Sequence, residues 1–295
     1  MSLVSCIIPT YKRSDTLGRA IDSVLSQTYY EIEVLVVDDN EKGSSESADV
    51  EKIVKSYADN RVKLVTQPRH INGAEARNAG IRASKGDFIA FLDDDDEWLP
   101  EKIEKQMSFM SEHPDIDGVS CLYSEYKKGV KFHSCPPYSC EDIHKKIFKR
   151  EVSVFTSTVL VKKDKLIKSG LFDTSLRRHQ DLQLLMDFTR VNKFDVVSEY
   201  LVKLHSDSAI NRSNLERFIS VKEDFFKSVG AHLEMYSQAE QRDIMASHYF
   251  DIFRLALKEK NFKVALRYFK KIGFNVSAFR SVYKRMQNKK YIVSD

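Results

Sequence analysis

The sequence predicts an α/β fold, a mostly parallel sheet flanked by helices, followed by a helical C-terminal extension. Two observations support this prediction. Short apolar runs alternate with helical patterns through the first hundred residues, and after about residue 213 the apolar spacing is helical throughout. A chain of 295 residues is long enough for one large α/β domain with an appendage. We therefore place one domain at residues 1–212 and a basic helical extension at residues 213–295.

Apolar runs and the helical patterns between them define the first domain. The runs predict strands at residues 4–8, 34–37, 62–65 and 88–92. Helices are expected after a cap at Ser14 or Asp15, around residues 50–57, and at residues 74–83. Continuous apolar strands separated by helices are typical of a parallel sheet covered on both faces. Ligands of such sheets bind beyond the carboxyl ends of the strands, so we expect a site there.

The later part of the chain has less regular patterns. Residues 116–123 and 194–204 contain strand-like runs. Residues 124–150 are polar, and we expect a long mobile segment of the kind that often binds ligands. A helix–turn–helix is predicted at residues 239–272, with Asn261 at the turn.

Four consecutive aspartates, Asp93 to Asp96, follow the fourth apolar run directly. Carboxylates this close repel one another, which raises their pKa values. Their oxygens are hard ligands for a divalent cation such as Mg²⁺ or Mn²⁺, which often completes its shell with substrate phosphates. The cluster therefore predicts a metal–diphosphate site, with Asp96 expected to cap or brace the next helix. The alternative is a solvated acidic turn before a helix that has Pro100 in its first turn.

Several motifs together resemble one known family. Residues 5–13 read Ser-Cys-Ile-Ile-Pro-Thr-Tyr-Lys-Arg, and residues 36–39 read Val-Val-Asp-Asp. Residues 72–81 read Asn-Gly-Ala-Glu-Ala-Arg-Asn-Ala-Gly-Ile, and residues 91–100 contain the aspartates followed by Glu-Trp-Leu-Pro. In their order and approximate spacing over residues 1–210, these segments resemble family 2 glycosyltransferases of the GT-A fold. The resemblance implies a nucleotide-diphosphosugar-binding α/β domain and a metal-dependent transfer that inverts the anomeric centre.

The donor nucleotide is expected to bind at the strand ends. From the residues themselves, Tyr11 can stack on a base and Arg13 can reach a phosphate. The resemblance assigns Asp39 to the uracil N–H and Arg77 to the donor site. The predicted donor set is Pro9, Thr10, Tyr11, Arg13, Asp39, Asn72, Arg77, Asp93 and Asp94. The alternatives are ordinary strand-end turns and a surface arginine on a helix.

The metal and the catalytic base are also assigned through the resemblance. It implies that Asp95 holds the metal and diphosphate, that Asp93 lies on the ribose side, and that Asp94 shares either role. The predicted metal set is Asp95, Asp93 and His205, the last approaching the metal or the diphosphate. Transfer needs a group that takes the proton from the acceptor hydroxyl, and Asp181 is the candidate base. The family usually has Glu-Asp at that point, whereas this chain has Gln180 before Asp181. The alternatives are a structural histidine and, for Asp181, a simple helix N-cap.

Composition narrows the class of protein. No apolar window approaches the length of a membrane span, and the start of the chain lacks the pattern of a secretory signal. Four cysteines do not indicate a disulfide framework, so we expect a cytoplasmic protein. A zinc site is not predicted, because the spacing of its candidate ligands is uncommon for structural zinc. Those candidates are His133, Cys135, Cys140 and His144.

The C-terminal extension is strongly basic. Residues 254–290 contain twelve lysines and arginines and a single acid, Glu259, which points to an anionic partner. We expect peripheral attachment to an anionic membrane surface at the inner face of the membrane, and no nucleic acid, because no binding motif accompanies the charge. The residues expected to contact lipid include Lys284, Arg285, Lys289 and Lys290. The alternative is a helical cap with solvated charges.

Taken together, the motifs predict a metal-dependent inverting glycosyltransferase with Mn²⁺ or Mg²⁺ as cofactor. A UDP-sugar is the expected donor, and the hydroxyl of a glycan or lipid-linked saccharide is the expected acceptor, in cell-surface polysaccharide biosynthesis. A sugar nucleotidyltransferase is an alternative that would need a glycine-rich phosphate loop, whereas residues 9–13 contain no glycine. A catalytically silent nucleotide-sugar-binding protein is another, and it would lack the base.

Overall fold

The computed structural model describes residues 2–206, 214–273, 275–288 and 291–293, and only the backbone of residues 278, 281 and 284–286. The domain boundary predicted between residues 212 and 213 falls outside the described residues. So do Lys289 and Lys290 and the side chains of Lys284 and Arg285.

Strands and helices alternate through the first hundred residues, as the sequence predicts. The strands are β1 Val4–Thr10, β2 Ile32–Asp38, β3 Val62–Thr66, β4 Phe88–Phe91, β5 Glu97–Trp98, β6 Gly118–Lys127, β7 Val130–Ser134, β8 Leu160–Lys162 and β9 Phe194–His205. The first helices are α1 Ser14–Leu25, α2 Ser45–Ser56, α3 Gly73–Ala83, α4 Lys102–Glu112, α5 Ile143–Phe148, α6 Lys163–Ser169 and α7 Gln180–Val191. The extension contains α8 Leu215–Val229, α9 Gln238–Lys258, α10 Phe262–Ile272 and α11 Val276–Asn288. Two 3₁₀ turns lie at Thr156–Thr158 and Gly230–Met235.

Within the described ranges the strands form one sheet in the order β3-β2-β1-β4-β8-β6-β9-β5, with β7 paired to β6. Strands β1 to β4 are parallel, as predicted. Strand β8 runs antiparallel to both of its neighbours, and β5 and β7 are also antiparallel to theirs. The register pairs Thr10 with Asp38 and Ile7 with Phe91, so the carboxyl ends of β1, β2 and β4 meet at one edge.

Two apolar layers cover the sheet. Cys6 and Ile8 of β1 pack into the layer beneath α1, α2 and α4, whereas Ile7, between them, packs into the layer beneath α3, α5 and α7. This alternation follows from the two-residue period of a strand. Phe225 of α8 and Ile244 of α9 belong to the second layer as well, so the extension shares a core with the sheet.

Helix α3 lies unusually close to β1, and a glycine permits this. A Cβ atom added to Gly80 would stand 2.5 Å from the Ile7 Cγ2 atom, closer than carbon atoms can approach. The close packing brings the start of α3, including Arg77, against the sheet edge where the strands end.

Two local predictions were wrong. Arg13, not Ser14 or Asp15, is the residue before the first helical turn, and it forms no side-chain cap. Residues 124–150 contain β7 and α5 rather than one long mobile segment. Lys128 and Gly129 both have positive φ, 50° and 76°, which suits a two-residue hairpin turn between β6 and β7.

The described helices differ from membrane-spanning helices in length or in apolar character. None of them is both long and apolar enough to cross a membrane.

Candidate functional site

A cleft of about 240 Å³ lies at the carboxyl ends of β1, β2 and β4. Its lining residues are Pro9, Thr10, Tyr11, Arg13, Asp39, His70, Gly73, Ala76, Arg77, Asp93 and Asp94. Eight of the nine residues predicted for the donor site therefore lie together in this cleft. The ninth, Asn72, caps α3, because its side chain accepts hydrogen bonds from the N–H groups of Ala74 and Glu75.

The two aspartates after β2 have different roles. Asp38 is fully buried and accepts hydrogen bonds from the Asn40 N–H at 3.0 Å, from Asn40 Nδ2 at 2.8 Å and from the Ser47 hydroxyl at 2.6 Å. These bonds fix the loop that follows the strand. Asp39 lines the cleft, so it is the carboxylate of the pair that can meet a ligand there.

Asp39 is held by the segment before α3. Its Oδ1 accepts from Gln67 Nε2 at 2.8 Å and from the Ile71 N–H at 3.2 Å, and its Oδ2 lies 2.8 Å from His70 Nδ1. Burial raises the pKa of Asp39, although the bonds from Ile71 and His70 work in the opposite direction. The carboxylate is thus an oriented acceptor in a partly desolvated position.

A stacked pair of rings forms one wall of the cleft. The rings of Tyr11 and His70 are nearly parallel, with centroids 3.8 Å apart and an angle of 14° between the planes. Sequence reasoning predicted Tyr11 and missed His70, because no motif marks the segment between β3 and α3. Flat rings beside an oriented carboxylate suit a planar heterocycle with a hydrogen-bond donor.

The aspartates after β4 are paired with arginines from two helices. Arg13 bonds to Asp95 and lies 3.4 Å from Asp94, and Arg77 bonds to Asp93. Arg19 Nη2 also donates to the backbone carbonyl of Asp95 at 2.6 Å. The arginine charges offset the repulsion between the carboxylates, which lets the acidic cluster exist at the end of one strand.

Burial raises the pKa values of two of these carboxylates despite the nearby arginines. It raises the pKa of Asp94 to about 7, against the opposing effects of Thr10 and Arg13, and neighbouring Asp95 and Asp93 add to the rise. Burial also raises the pKa of Asp95. An additional positive charge in the cleft would therefore favour the ionised form of both groups.

The 3₁₀ turn at Thr156–Thr158 holds the acidic segment through hydrogen bonds. The Asp93 N–H donates to the Ser157 hydroxyl at 3.1 Å, and that hydroxyl donates to Asp96 Oδ2 at 2.6 Å. Trp98 Nε1 donates to the Ser157 carbonyl at 2.7 Å. Asp96 therefore braces this turn, and not the following helix as the sequence analysis expected. Ser157 was not predicted, because its role depends on contacts distant in sequence.

His205, predicted as a metal ligand, ends β9 beside the acidic segment. Its backbone N–H donates to Asp96 Oδ1 at 3.1 Å, and its ring Nε2 lies 3.4 Å from Glu97 Oε2. The imidazole does not line the cleft. Its role at the metal stays a prediction.

Asp181 lies in the first turn of α7. The residue before the helix is His179, with a left-handed φ of 65°, so Asp181 is not the N-cap. Burial raises the pKa of Asp181; the charges of Arg77 and Arg150 lower it, and that of Asp93 raises it. The carboxyl is thus within electrostatic reach of the cleft through Arg77 and Asp93. A partly accessible carboxyl with a raised pKa has the properties of a general base.

The acidic cluster also meets the requirements of a cation shared with phosphates. Across the described ranges, no three histidine, cysteine or acidic side chains form a ready-made metal cage. A magnesium-type ion bound to substrate phosphates needs only one or two protein carboxylates, with hard oxygen atoms. Asp93 and Asp95 meet that requirement.

Comparison with known proteins identifies relatives. The model of the family described as Glycosyl transferase family 2 matches residues 5–169. An uncharacterized glycosyltransferase of Rickettsia prowazekii is 32% identical over 241 residues, which cover 77% of this chain and 72% of the relative. The Escherichia coli protein WfgD, named a UDP-Glc:alpha-D-GlcNAc-diphosphoundecaprenol beta-1,3-glucosyltransferase, is 38% identical over 125 residues, which cover 42% of this chain and 46% of WfgD.

Solved structures agree with the fold. The crystal structure of Staphylococcus aureus TarS residues 1–349 in complex with UDP-GlcNAc superposes with a TM-score of 0.68. The superposition covers 97% of this chain and 88% of that one, at 17% sequence identity. The curved sheet with flanking helices is thus a GT-A fold.

The raised pKa of Asp94 leads to a first prediction. The pKa of Asp94 in the folded protein exceeds its ordinary value of 3.8. The contribution of Asp94 to the free energy of unfolding is therefore fully present below pH 3.8 and is lost as the pH rises through about 7. Replacing Asp94 with Asn should therefore stabilise the ligand-free protein at pH 8, by roughly 1–3 kcal/mol, and have a smaller effect at pH 5. Urea unfolding at the two pH values measures this difference.

The matched control is Asp115→Asn, which removes an exposed carboxylate whose partner is Lys193. It should change stability by the same small amount at both pH values. If Asp94→Asn instead destabilised the protein equally at both, Asp94 would be an ionised partner of Arg13 throughout this range.

Proposed function

Because the chain belongs to glycosyl transferase family 2 and is a glycosyltransferase, we propose that it transfers a sugar from a UDP-sugar to a hydroxyl of a lipid-linked saccharide, with inversion at the anomeric carbon. The observation that supports this most is the single cleft in which a ring-lined, carboxylate-bearing pocket adjoins an acidic cluster. The former suits a nucleobase, and the latter suits a cation with a diphosphate. Arg13 and Arg77 line the same cleft and pair with aspartates of the cluster.

The donor is proposed to lie along the cleft. Asp39 accepts a hydrogen bond from the imide N–H of uracil, Tyr11 packs against the base, and Arg13 and Arg77 face the diphosphate. Asp93 and Asp95 would hold Mn²⁺ or Mg²⁺, which when bound neutralises charge on the departing diphosphate. Arginine and carboxylate side chains exchange partners in this arrangement, because the phosphate oxygens replace the carboxylates around the guanidinium groups.

Asp181 is proposed as the base. The acceptor oxygen forms a bond to the anomeric carbon while the bond from that carbon to the diphosphate oxygen breaks. The electron pair of the broken bond leaves with UDP, and the hydroxyl proton passes to the Asp181 carboxylate. Direct displacement from the opposite side inverts the anomeric centre and needs no covalent enzyme intermediate.

The acceptor class is inferred from relatives and chemistry. The E. coli relative is named for transfer to a diphosphoundecaprenol-linked sugar, which is a lipid-linked saccharide. We extend that class to this chain, within cell-surface polysaccharide biosynthesis. A sugar nucleotidyltransferase would instead release diphosphate from a nucleoside triphosphate, and a silent binding protein would release nothing.

The basic extension supports attachment to a membrane surface. Helix α10 exposes Phe262, Leu266 and Phe269, with exposed fractions of 69%, 56% and 42%. Their spacing places them on one face of the helix. Three exposed cations lie beside that face, namely Lys263, Arg267 and Lys270. An apolar stripe flanked by cations is typical of helices that lie in the surface of an anionic bilayer.

The metal assignment is tested through Asp95. Asp95→Asn should reduce UDP release from the sugar donor and transfer by roughly 10²–10³-fold, because the charge on the leaving diphosphate is no longer offset. Activity is measured across a series of Mn²⁺ and Mg²⁺ concentrations, and circular dichroism verifies the fold. Full metal-dependent turnover by this variant would show that Asp95 does not hold the metal.

The base is tested separately from donor binding. Asp181→Asn should lower transfer by roughly 10²–10⁴-fold, the usual contribution of a general base, with UDP affinity nearly unchanged. Calorimetry with UDP and single-turnover transfer are the two measurements. An equal loss of UDP affinity and transfer would assign Asp181 to the donor site instead.

Membrane attachment is tested by vesicle co-sedimentation. Binding should require anionic lipid and weaken with salt. Replacing Lys263, Arg267 and Lys270 with serine should weaken it by roughly 10²-fold, at about 1 kcal/mol for each charge. The control removes three exposed lysines elsewhere, Lys42, Lys52 and Lys85. Equal loss in both variants, or binding that ignores salt, would leave the extension as a solvated helical cap.

A further inference from the structure

A second, larger cavity lies apart from the donor cleft. It measures about 670 Å³ and is bounded by the β6–β7 hairpin, the segment after α5, and α9. Three aromatic side chains, Tyr123, Phe132 and Phe155, contribute to its wall. Phe132 and Phe155 are 42% and 37% exposed, which is high for large apolar side chains. Such rings offer the flat apolar surface against which the C–H face of a sugar packs.

The cavity is lined by three acids and three cations, and two of the acids are also paired with lysines from outside the lining. Its acids are paired: Glu151 lies 2.8 Å from Lys149, Asp251 lies 3.7 Å from Lys222, and Glu125 lies 3.8 Å from His133. Three cations, Lys146, Arg150 and Arg254, also line it. Arg150 is 3.6 Å from Asp251. Lys146 and Arg254 have no carboxylate partner within the described part of the chain. An anionic group on the ligand would compensate them.

Arg150 occupies a position that normally favours glycine. Its φ is 58°, and it follows the last turn of α5, where the Glu151 N–H donates to the Lys146 carbonyl at 2.8 Å. Left-handed residues at helix ends are usually glycine, since other residues strain the backbone there. Glycine suits the backbone at position 150, so replacing Arg150 with glycine removes the guanidinium group without straining the turn.

Two residues of the cavity wall connect the cavity to the proposed catalytic groups. Arg150 lines the cavity and acts electrostatically on Asp181. Phe155 lies two residues before Ser157, whose hydroxyl accepts from the Asp93 N–H at 3.1 Å. The cavity wall is thus linked through Arg150 to the proposed base, and through Phe155 to the turn that holds the acidic segment.

We propose that this cavity binds the acceptor, a saccharide that carries a diphosphate. The proposal rests on the proposed function, and it adds where the acceptor lies and which chemical group is recognised. The sugar packs on Phe132 and Phe155, and the diphosphate binds Arg254, Lys146 and Arg150. The acceptor hydroxyl then points past Arg150 toward Asp181.

Two probes separate charge recognition from sugar recognition. One is GlcNAc linked through a diphosphate to a short prenyl chain, and the other is the matched GlcNAc glycoside without the diphosphate. Binding to the UDP-saturated protein is measured by calorimetry. The unmodified protein should bind the diphosphate probe at least tenfold more tightly than the glycoside.

The variants are chosen to keep the fold. Arg254→Ser and Arg150→Gly should each remove most of that preference, and glycine suits the backbone at position 150. Phe132→Ala should weaken both probes alike, since both contain the sugar. Lys258→Ser, on the same helix as Arg254, and Lys260→Gly, at another left-handed position with φ 57°, are controls that should leave both affinities unchanged.

Equal affinity for the two probes, no binding of either, or a cavity variant that behaves like its control would overturn the proposal. Slow UDP release from a UDP-sugar by the unmodified protein, measured without acceptor, tests the proposed function independently. If UDP is released but the cavity variants have no effect, the transferase assignment stands and the acceptor binds elsewhere.

Discussion

Asp93, Asp94 and Asp95 follow one another at the end of β4, and groups from three other elements offset their mutual repulsion. Arg13 and Arg19 reach them from the start of α1, and Arg77 reaches them from α3. The 3₁₀ turn fixes the backbone below through Ser157. The fold thus keeps negative charge concentrated at one point while the positive charges that balance it remain on separate helices. A ligand that brings both a cation and phosphates can exchange partners with both sets.

Contacts made by α7 connect the cleft to the C-terminal extension. Asp181 belongs to α7, whose buried face packs in one apolar layer with Phe225 of α8 and Ile244 of α9. His232, in the 3₁₀ turn after α8, lies 2.8 Å from Asp187 of α7, and its other ring nitrogen lies 3.0 Å from His144 of α5. The position of the proposed base therefore depends on contacts from beyond the first domain.

Much of this could be predicted from the sequence, and the part that could not has a common physical reason. The spacing of apolar residues and the polar residues at strand ends are local signals, so the sequence predicted β1 to β4 and eight of the residues that line the cleft. His70, Ser157 and the larger cavity depend on which distant segments meet in space. The hairpin turn at Lys128-Gly129 is also a local feature, but the surrounding residues are polar, and the segment was therefore predicted to be mobile. The predicted cap at Ser14 was wrong because the helix begins one residue earlier than expected, so Ser14 is its first residue and Arg13 precedes it.

The two cavities draw on different stretches of the chain. The donor cleft is lined by residues between 9 and 94, and the larger cavity by residues between 123 and 288. The matched family segment, residues 5–169, contains the whole of the first and only part of the second. A substitution in one stretch therefore replaces no residue that lines the other cavity. A lineage could therefore exchange one partner molecule for another by altering the later stretch, while the proposed nucleotide pocket is inherited unchanged.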